Sequence, residues 1–192
     1  MRLFFHGIEL PPAEGAPRRK RAADDPVRAV YAGNMGRSYD LATVIDAVKS
    51  EPGVTLDLAG TGPDEPALRA RAGDCARIRF HGYLDDAALR ALLADCDMGL
   101  VPMFDDSCVG VPYKLADYAA AGLWIVNSLH GETEKLLAEH GAGTTYAAGD
   151  VAALRAALRA PRPVAGGALA ALFDAKRIYA EYVAFAARCM GK

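Results

Sequence analysis

The chain lacks the paired cysteines that mark a metal or redox site. Its four cysteines, Cys75, Cys96, Cys108 and Cys189, form no C-x-x-C pair, and the four histidines do not gather beside them. That spacing disfavours a zinc cluster and fits reduced thiols rather than a disulfide framework. No apolar run approaches the roughly 18 residues of a membrane-spanning helix, and LFF near the start is too short for a signal-peptide core. A cytoplasmic protein is expected. An excess of one charge is lacking too: 22 Lys+Arg against 24 Asp+Glu leaves a formal net charge of −2. A nucleic-acid binder would carry a strongly basic face, so that class is disfavoured. The local exception is Arg18-Arg19-Lys20-Arg21, flanked by Pro and Gly. It fits a solvated loop, or a peripheral contact with anionic lipid at the inner membrane face. Two glycine motifs are also missing. Without G-x-G-x-x-G a dinucleotide cofactor is disfavoured, and without G-x-x-x-x-G-K-[ST] so is a P-loop ATPase.

What is present alternates regularly. VRAVYAG, VTLDLAG, IRFHG, MGLVPM, WIVNS and GTTYAA have the composition of short buried strands. Between and after them lie helical patterns: DLATVIDAVKS with Asp40 as N-cap, DEPALRARA, DDAALRALLADC, KLADYAAAG, GETEKLLAEHG and DVAALRAALRA. In the third, Ala88, Leu92 and Leu93 are expected to share the buried face. Strands alternating with helices specify right-handed crossovers and a parallel sheet covered on both faces. The expected fold class is α/β: a doubly wound, Rossmann-like sheet of about six strands. Residues 1–26 read as an approach segment, 27–160 as the domain, and 161–192 as a Pro/Gly-rich connector and a final helix. That helix, over Asp174 to Met190, carries a wide apolar stripe of Ile178, Tyr182, Phe185 and Cys189, with Tyr179, Val183 and Ala186 alongside. It suits docking on its own domain or on a partner domain.

Doubly wound sheets bind ligands beyond the carboxyl ends of their strands. Three loops there carry candidates. GNMGRSYD offers Gly33 and Gly36, whose backbone can approach an anion, although an ordinary strand-to-helix turn explains them equally. HGYLDD offers the backbone of Gly82 to an aromatic base, with Tyr83 beside it or simply as a surface or core aromatic. VGVPYKLADY is richest. Pro112 suits a first helical position, which leaves the amides of Tyr113 and Lys114 at a helix start that favours negative charge. Lys114 and Asp117 stand at i and i+3 and share a face, so the lysine can meet a phosphate while the carboxylate accepts two ribose hydroxyls. A plain surface pair worth about 0.3–0.5 kcal/mol is the alternative.

The ordered succession VYAGNMG…LATVIDAV, VTLDLAGTGPDEPALRARA, IRFHGYLDDAALRALLADCDMGLVP, GVPYKLADYAAAGLWIVNS, HGETEKLL and GAGTTYAAGD resembles the C-terminal half of glycosyltransferase family 4. That resemblance, over about Phe4 to Ala160, implies one half of a GT-B fold and a retaining enzyme that uses a nucleotide-sugar donor. FFHGIEL resembles the segment leading in from the first domain, and the final helix the one that crosses back to it. An N-terminal acceptor-binding domain is the implied partner. The chain is expected to be an excised domain, the alternative being a half whose other part is a second polypeptide.

By position, Asp117 matches the second glutamate of the family's E-x7-E motif, which holds the ribose, and the backbone of Pro112, Tyr113 and Lys114 matches the diphosphate cradle. Gly82, Tyr83 and Leu84 match the base-contacting segment, and Gly33 with Gly36 the loop facing the phosphates and sugar. Gly131 and Glu134 match a glycine-x-x-glutamate turn, where Glu134 equally suits a helix N-terminal charge. The donor-sugar position falls on Val109 and Gly110, so the usual sugar-gripping glutamate is missing. The family's arginine and lysine after the first strand fall on Asn34 and Tyr39. Arg37 or Lys114 is left to stabilise the leaving diphosphate. The resemblance implies no metal and no cofactor; Asp105-Asp106 is not a D-x-D motif. The P-x-K-L-x-D-Y version resembles a branch linked to bacterial surface polysaccharides. The rival class is a non-catalytic nucleotide-binding or interaction module.

Overall fold

The computed structural model describes residues 5, 7–9, 25–104, 106–160 and 167–191. Six strands form one wholly parallel sheet: β1 (Val27–Ala32), β2 (Val54–Ala59), β3 (Ile78–Gly82), β4 (Met98–Val101), β5 (Trp124–Asn127) and β6 (Gly143–Thr145). Their spatial order is β3-β2-β1-β4-β5-β6, the doubly wound order expected of alternating strands and helices. The topology reverses between β1 and β4, and a crevice opens at that switch point.

Helices α1 (Leu41–Lys49), α2 (Glu65–Ala72) and α6 (Val151–Arg159) cover one face; α3 (Asp86–Ala94), α4 (Lys114–Ala120), α5 (Glu132–His140) and the short α7 (Ala168–Ala171) cover the other. Each face has its own apolar core because both sides of a parallel strand are buried. Asp40 caps α1 as expected: one carboxylate oxygen accepts from the Thr43 amide at 3.2 Å and the other from the Gly149 amide at 2.8 Å. The cap thereby ties the loop after β1 to the loop after β6.

Three expectations need correction. On α3 the inward residues are Leu89, Leu92 and Leu93, while Ala88 is exposed; the helix is rotated so that the larger side chains reach the core. The connector range contains α7, whose Leu169 is buried, because three alanines and a leucine after Gly167 favour a helical turn against α4 and α5. Pro112 lies two residues before the first helical residue, Lys114, and its carbonyl accepts from the Leu115 amide at 3.0 Å. The first turn is thus closed tightly, and the helix starts two residues later than the proline suggested.

A final helix, α8 (Ala175–Cys189), buries Ala175 and Ile178, half-buries Phe185 and exposes Tyr179, Tyr182 and Val183. Its start is stitched to the N-terminal segment: the Ile8 amide donates to the Phe173 carbonyl at 2.8 Å, and the Ala175 amide to the Ile8 carbonyl at 3.0 Å. The basic run at residues 18–21 and Asp105 lie outside the described residues. No helix among the described residues is long and apolar enough to cross a membrane.

Candidate functional site

Past Val30, β1 no longer pairs with β4, whose register partners end at Ala29 with Met98 and Val30 with Gly99. The Ala32 amide donates instead to the Tyr118 hydroxyl at 2.8 Å. Tyr118 reaches that point because its ring lies over Gly99, where a side chain would collide with it. Helix α4 is thereby seated against the mouth of the crevice, and five of its seven residues are buried: Lys114, Leu115, Ala116, Tyr118 and Ala119.

Lys114 is the unusual member. It is only 8% exposed, and among the described residues its Nζ has no hydrogen-bond partner. The ammonium sits 3.9 Å from the centroid of the Tyr31 ring and 3.9 Å from that of Tyr39. Those rings meet edge to face, 5.5 Å apart at 68°. Burial lowers the ammonium pKa from 10.5 to about 7. Burial also raises the Tyr31 hydroxyl far above its ordinary value, so the phenol stays neutral. Gly33 has φ of +145°, and a side chain there would lie 3.2 Å from Nζ. Glycine thus supplies both the backbone conformation and the space beside the cation.

The loop bearing Gly33 is held from several sides. The Gly33 amide donates to the Ala59 carbonyl at 2.9 Å, Met35 to Thr61 at 2.9 Å, and the Tyr31 hydroxyl to the Asn34 carbonyl at 2.5 Å. Gly60 packs so closely on the Gly33 carbonyl that no side chain fits between them. Beside this loop lies an open depression of about 400 Å³ lined by Gly33, Asn34, Gly60, Tyr83, Leu84 and Leu89 among others. It joins the ends of the first three strands, and Tyr83 stands 81% exposed at its rim. An apolar wall with backbone edges and a tyrosine can accept a flat ring, and the neighbouring unpaired cation can accept an anion.

The expected residues divide accordingly. Gly33, Tyr83 and Leu84 share the depression, and Lys114 borders Gly33. Gly82 ends β3 at φ +67°, its carbonyl accepting from the Gly60 amide. Arg37 is exposed and faces a separate hollow of about 250 Å³ with Gly36, Tyr39, Asp40, Asp64 and Phe104. Lys114 lines neither this hollow nor the depression beside Gly33, whereas Arg37 lines the hollow. Asp117 and Tyr113 are exposed on α4, and Pro112 is buried. Lys114 and Asp117 form no surface pair, since the lysine head is buried without a hydrogen-bond partner. Val109 and Gly110 are exposed on the loop before α4, where the Gly110 carbonyl accepts from the Thr133 hydroxyl at 2.6 Å. Gly131 precedes α5 at φ +88°, and Glu134 lies 3.2 Å from the His130 ring in the first turn of that helix.

Two features escaped the sequence. Tyr31 looks like any strand aromatic, and only the fold shows it sharing Lys114 with Tyr39. Asp57, inside an apolar strand, is fully buried among Arg28, Arg79 and His81 at 2.7–3.2 Å. A lone carboxylate in VTLDLA was the available signal.

Residues 26–160 match the family described as "Glycosyl transferases group 1". A curated relative, the glycogen synthase of Mycobacterium tuberculosis (strain CDC 1551 / Oshkosh), is 31% identical over 163 residues, covering 80% of this chain and 38% of the relative. Among solved structures, the lipopolysaccharide outer core galactosyltransferase WaaB superposes with a TM-score of 0.73 at 15% identity, covering 94% of this chain and 54% of that one. The Anabaena HepE protein in complex with UDP and glucose gives a TM-score of 0.67 at 16% identity, covering 85% and 48%. The chain thus spans about half or less of the length of these relatives, and the shared architecture is that of GT-B glycosyltransferases. By the family match over most of its length, the chain belongs to the glycosyl transferases group 1 family.

Proposed function

We propose that this chain is the donor-binding half of a retaining glycosyltransferase and that its ligand is a nucleoside diphosphate sugar. The observation that carries the reading is Lys114: a buried cation without a hydrogen-bond partner among the described residues, set beside a glycine loop at the switch point of the sheet. A buried charge without a partner is costly, and an arriving anion removes that cost. In this reading the diphosphate lies between Gly33 and the start of α4, the base enters the depression beside Tyr83 and Leu84, and Asp117 accepts the ribose hydroxyls. HepE, a neighbour by fold, is described in complex with UDP and glucose, which supports a nucleotide sugar as the ligand class.

Transfer breaks the bond between the anomeric carbon and the diphosphate oxygen and forms one to an acceptor hydroxyl on the same face. The acceptor proton passes to the departing phosphate. Lys114 stabilises the negative charge that grows on the leaving group, so the reading needs no cofactor of the protein's own and no metal. The acceptor is held by a further domain, and both substrates must be aligned before reaction, so this half binds donor without turning it over. The lipopolysaccharide enzymes WaaB and WaaG among the structural neighbours support an acceptor in bacterial surface polysaccharide synthesis.

A thermal-shift panel of UDP, GDP, TDP and ADP tests the reading. At millimolar concentration at least one is expected to raise the unfolding temperature. No shift with any of them contradicts donor binding and favours a non-catalytic module.

A further inference from the structure

A buried lysine usually finds a carboxylate, and this one finds two aromatic faces. The difference matters for a site that must hold an anion. A carboxylate would steady the ammonium and cancel its charge. A ring face steadies it through the quadrupole and leaves the full positive charge available. Resting on the donor-binding reading above, we infer that Tyr39 and Tyr31 are positioning residues for Lys114, forming an aromatic cage that holds its ammonium beside Gly33 for the diphosphate.

The geometry is specific. Both ring centroids lie 3.9 Å from Nζ, and the rings stand nearly perpendicular, so their faces form two walls around one point. Each residue is also held by contacts of its own. Tyr31 is fully buried and donates its hydroxyl to the Asn34 carbonyl. Tyr39 is anchored by its bridge to Met103 and by its amide, which donates to the Gly36 carbonyl at 3.0 Å. The third side is Gly33, where a Cβ would occupy the space next to Nζ. Among the described residues no group accepts a hydrogen bond from the ammonium, the titratable Tyr31, Tyr39, Asp40, Tyr118 and Asp117 included. Tyr39 stands where the family resemblance places a lysine. Here that position acts on the cation from α4 rather than supplying one.

Lysine labelled with ¹³C at Cε, with the Lys114 resonance assigned from its loss in Lys114→Arg, tests the cage in the intact chain. Tyr39→Phe keeps a ring face and Tyr39→Leu keeps only bulk. Lys114 is expected to titrate at lower pH in Tyr39→Leu than in wild type, because burial remains and the ring's support is lost, while Tyr39→Phe titrates as wild type. With UDP as probe, Tyr39→Leu is expected to bind about fivefold more weakly than Tyr39→Phe. An unchanged or raised Lys114 titration in Tyr39→Leu, or equal UDP affinity in the two variants, overturns the inference. If Tyr39→Leu does not fold, Tyr39→Met makes the same comparison. Absence of binding by wild type to UDP, GDP, TDP and ADP alike is a different result: it removes the donor reading itself, and with it this inference.

Discussion

Asp57, on a central strand, and Lys114, at the start of a helix packed against the same sheet, are both buried ionisable groups, yet among the described residues the first is surrounded by opposite charge and the second by none. Asp57 on β2 takes Arg79 at 2.9 Å, Arg28 at 3.2 Å and the His81 ring at 2.7 Å. Burial alone would raise its pKa, but hydrogen bonds from Arg79 and His81, with the charges of Arg79 and Arg28, bring it below the usual value. Lys114 receives no such help, and burial alone takes its ammonium down to about 7. The first arrangement is complete within the protein and serves structure. The second is incomplete and lies where the sheet opens, as expected of a group waiting for a ligand.

Removing Asp57 breaks the complete cluster and gives the largest expected effect. Asp57→Ala leaves Arg28, only 17% exposed, without its main counter-charge, and should cost about 3 kcal/mol in urea denaturation. Its pKa is depressed on folding, so its contribution is full above the unfolded value of about 3.9. That contribution should disappear as pH falls through the lower folded value.

The incomplete site should behave oppositely. Lys114→Met removes a buried charge with no counter-charge among the described residues, so stability at pH 7 should hold or rise while UDP affinity falls at least about tenfold. The pH profile sharpens this contrast. The unfolded chain keeps the lysine proton up to about 10.5, whereas the folded chain releases it near 7. Between those values the unfolded state binds more protons, so stability should rise with pH, and Lys114→Met should flatten that rise.

Smaller effects separate ligand contact from scaffold. Asp117 is exposed, so Asp117→Ala should lower the unfolding temperature only slightly while weakening UDP about fivefold through lost ribose hydrogen bonds. Asp40 is buried but satisfied by two backbone amides. Asp40→Ala should cost about 1 kcal/mol of stability in denaturant.

Much of the fold was legible because each strand is a short apolar run and each helix has its own polar-apolar rhythm. All six strand runs form strands, and Asp40 is the cap its spacing suggested. Local patterning sets these features. Pro112 misled by two residues because the tight first turn depends on how α4 seats against the crevice. Ala88 misled because the rotation of α3 follows from packing, not from its own sequence. At the site, Lys114 was legible as a candidate, but its environment was not. Tyr31 and Lys114 are far apart in the chain, and their contact arises only when α4 packs across the end of β1. The Asp57 cluster is non-local for the same reason.

The central claim is that a nucleoside diphosphate completes the charge of Lys114. Calorimetric titration of UDP into wild type and Lys114→Met tests it most directly. The account predicts saturable binding to wild type and affinity at least about tenfold weaker in the variant. Equal affinity in both proteins would contradict it.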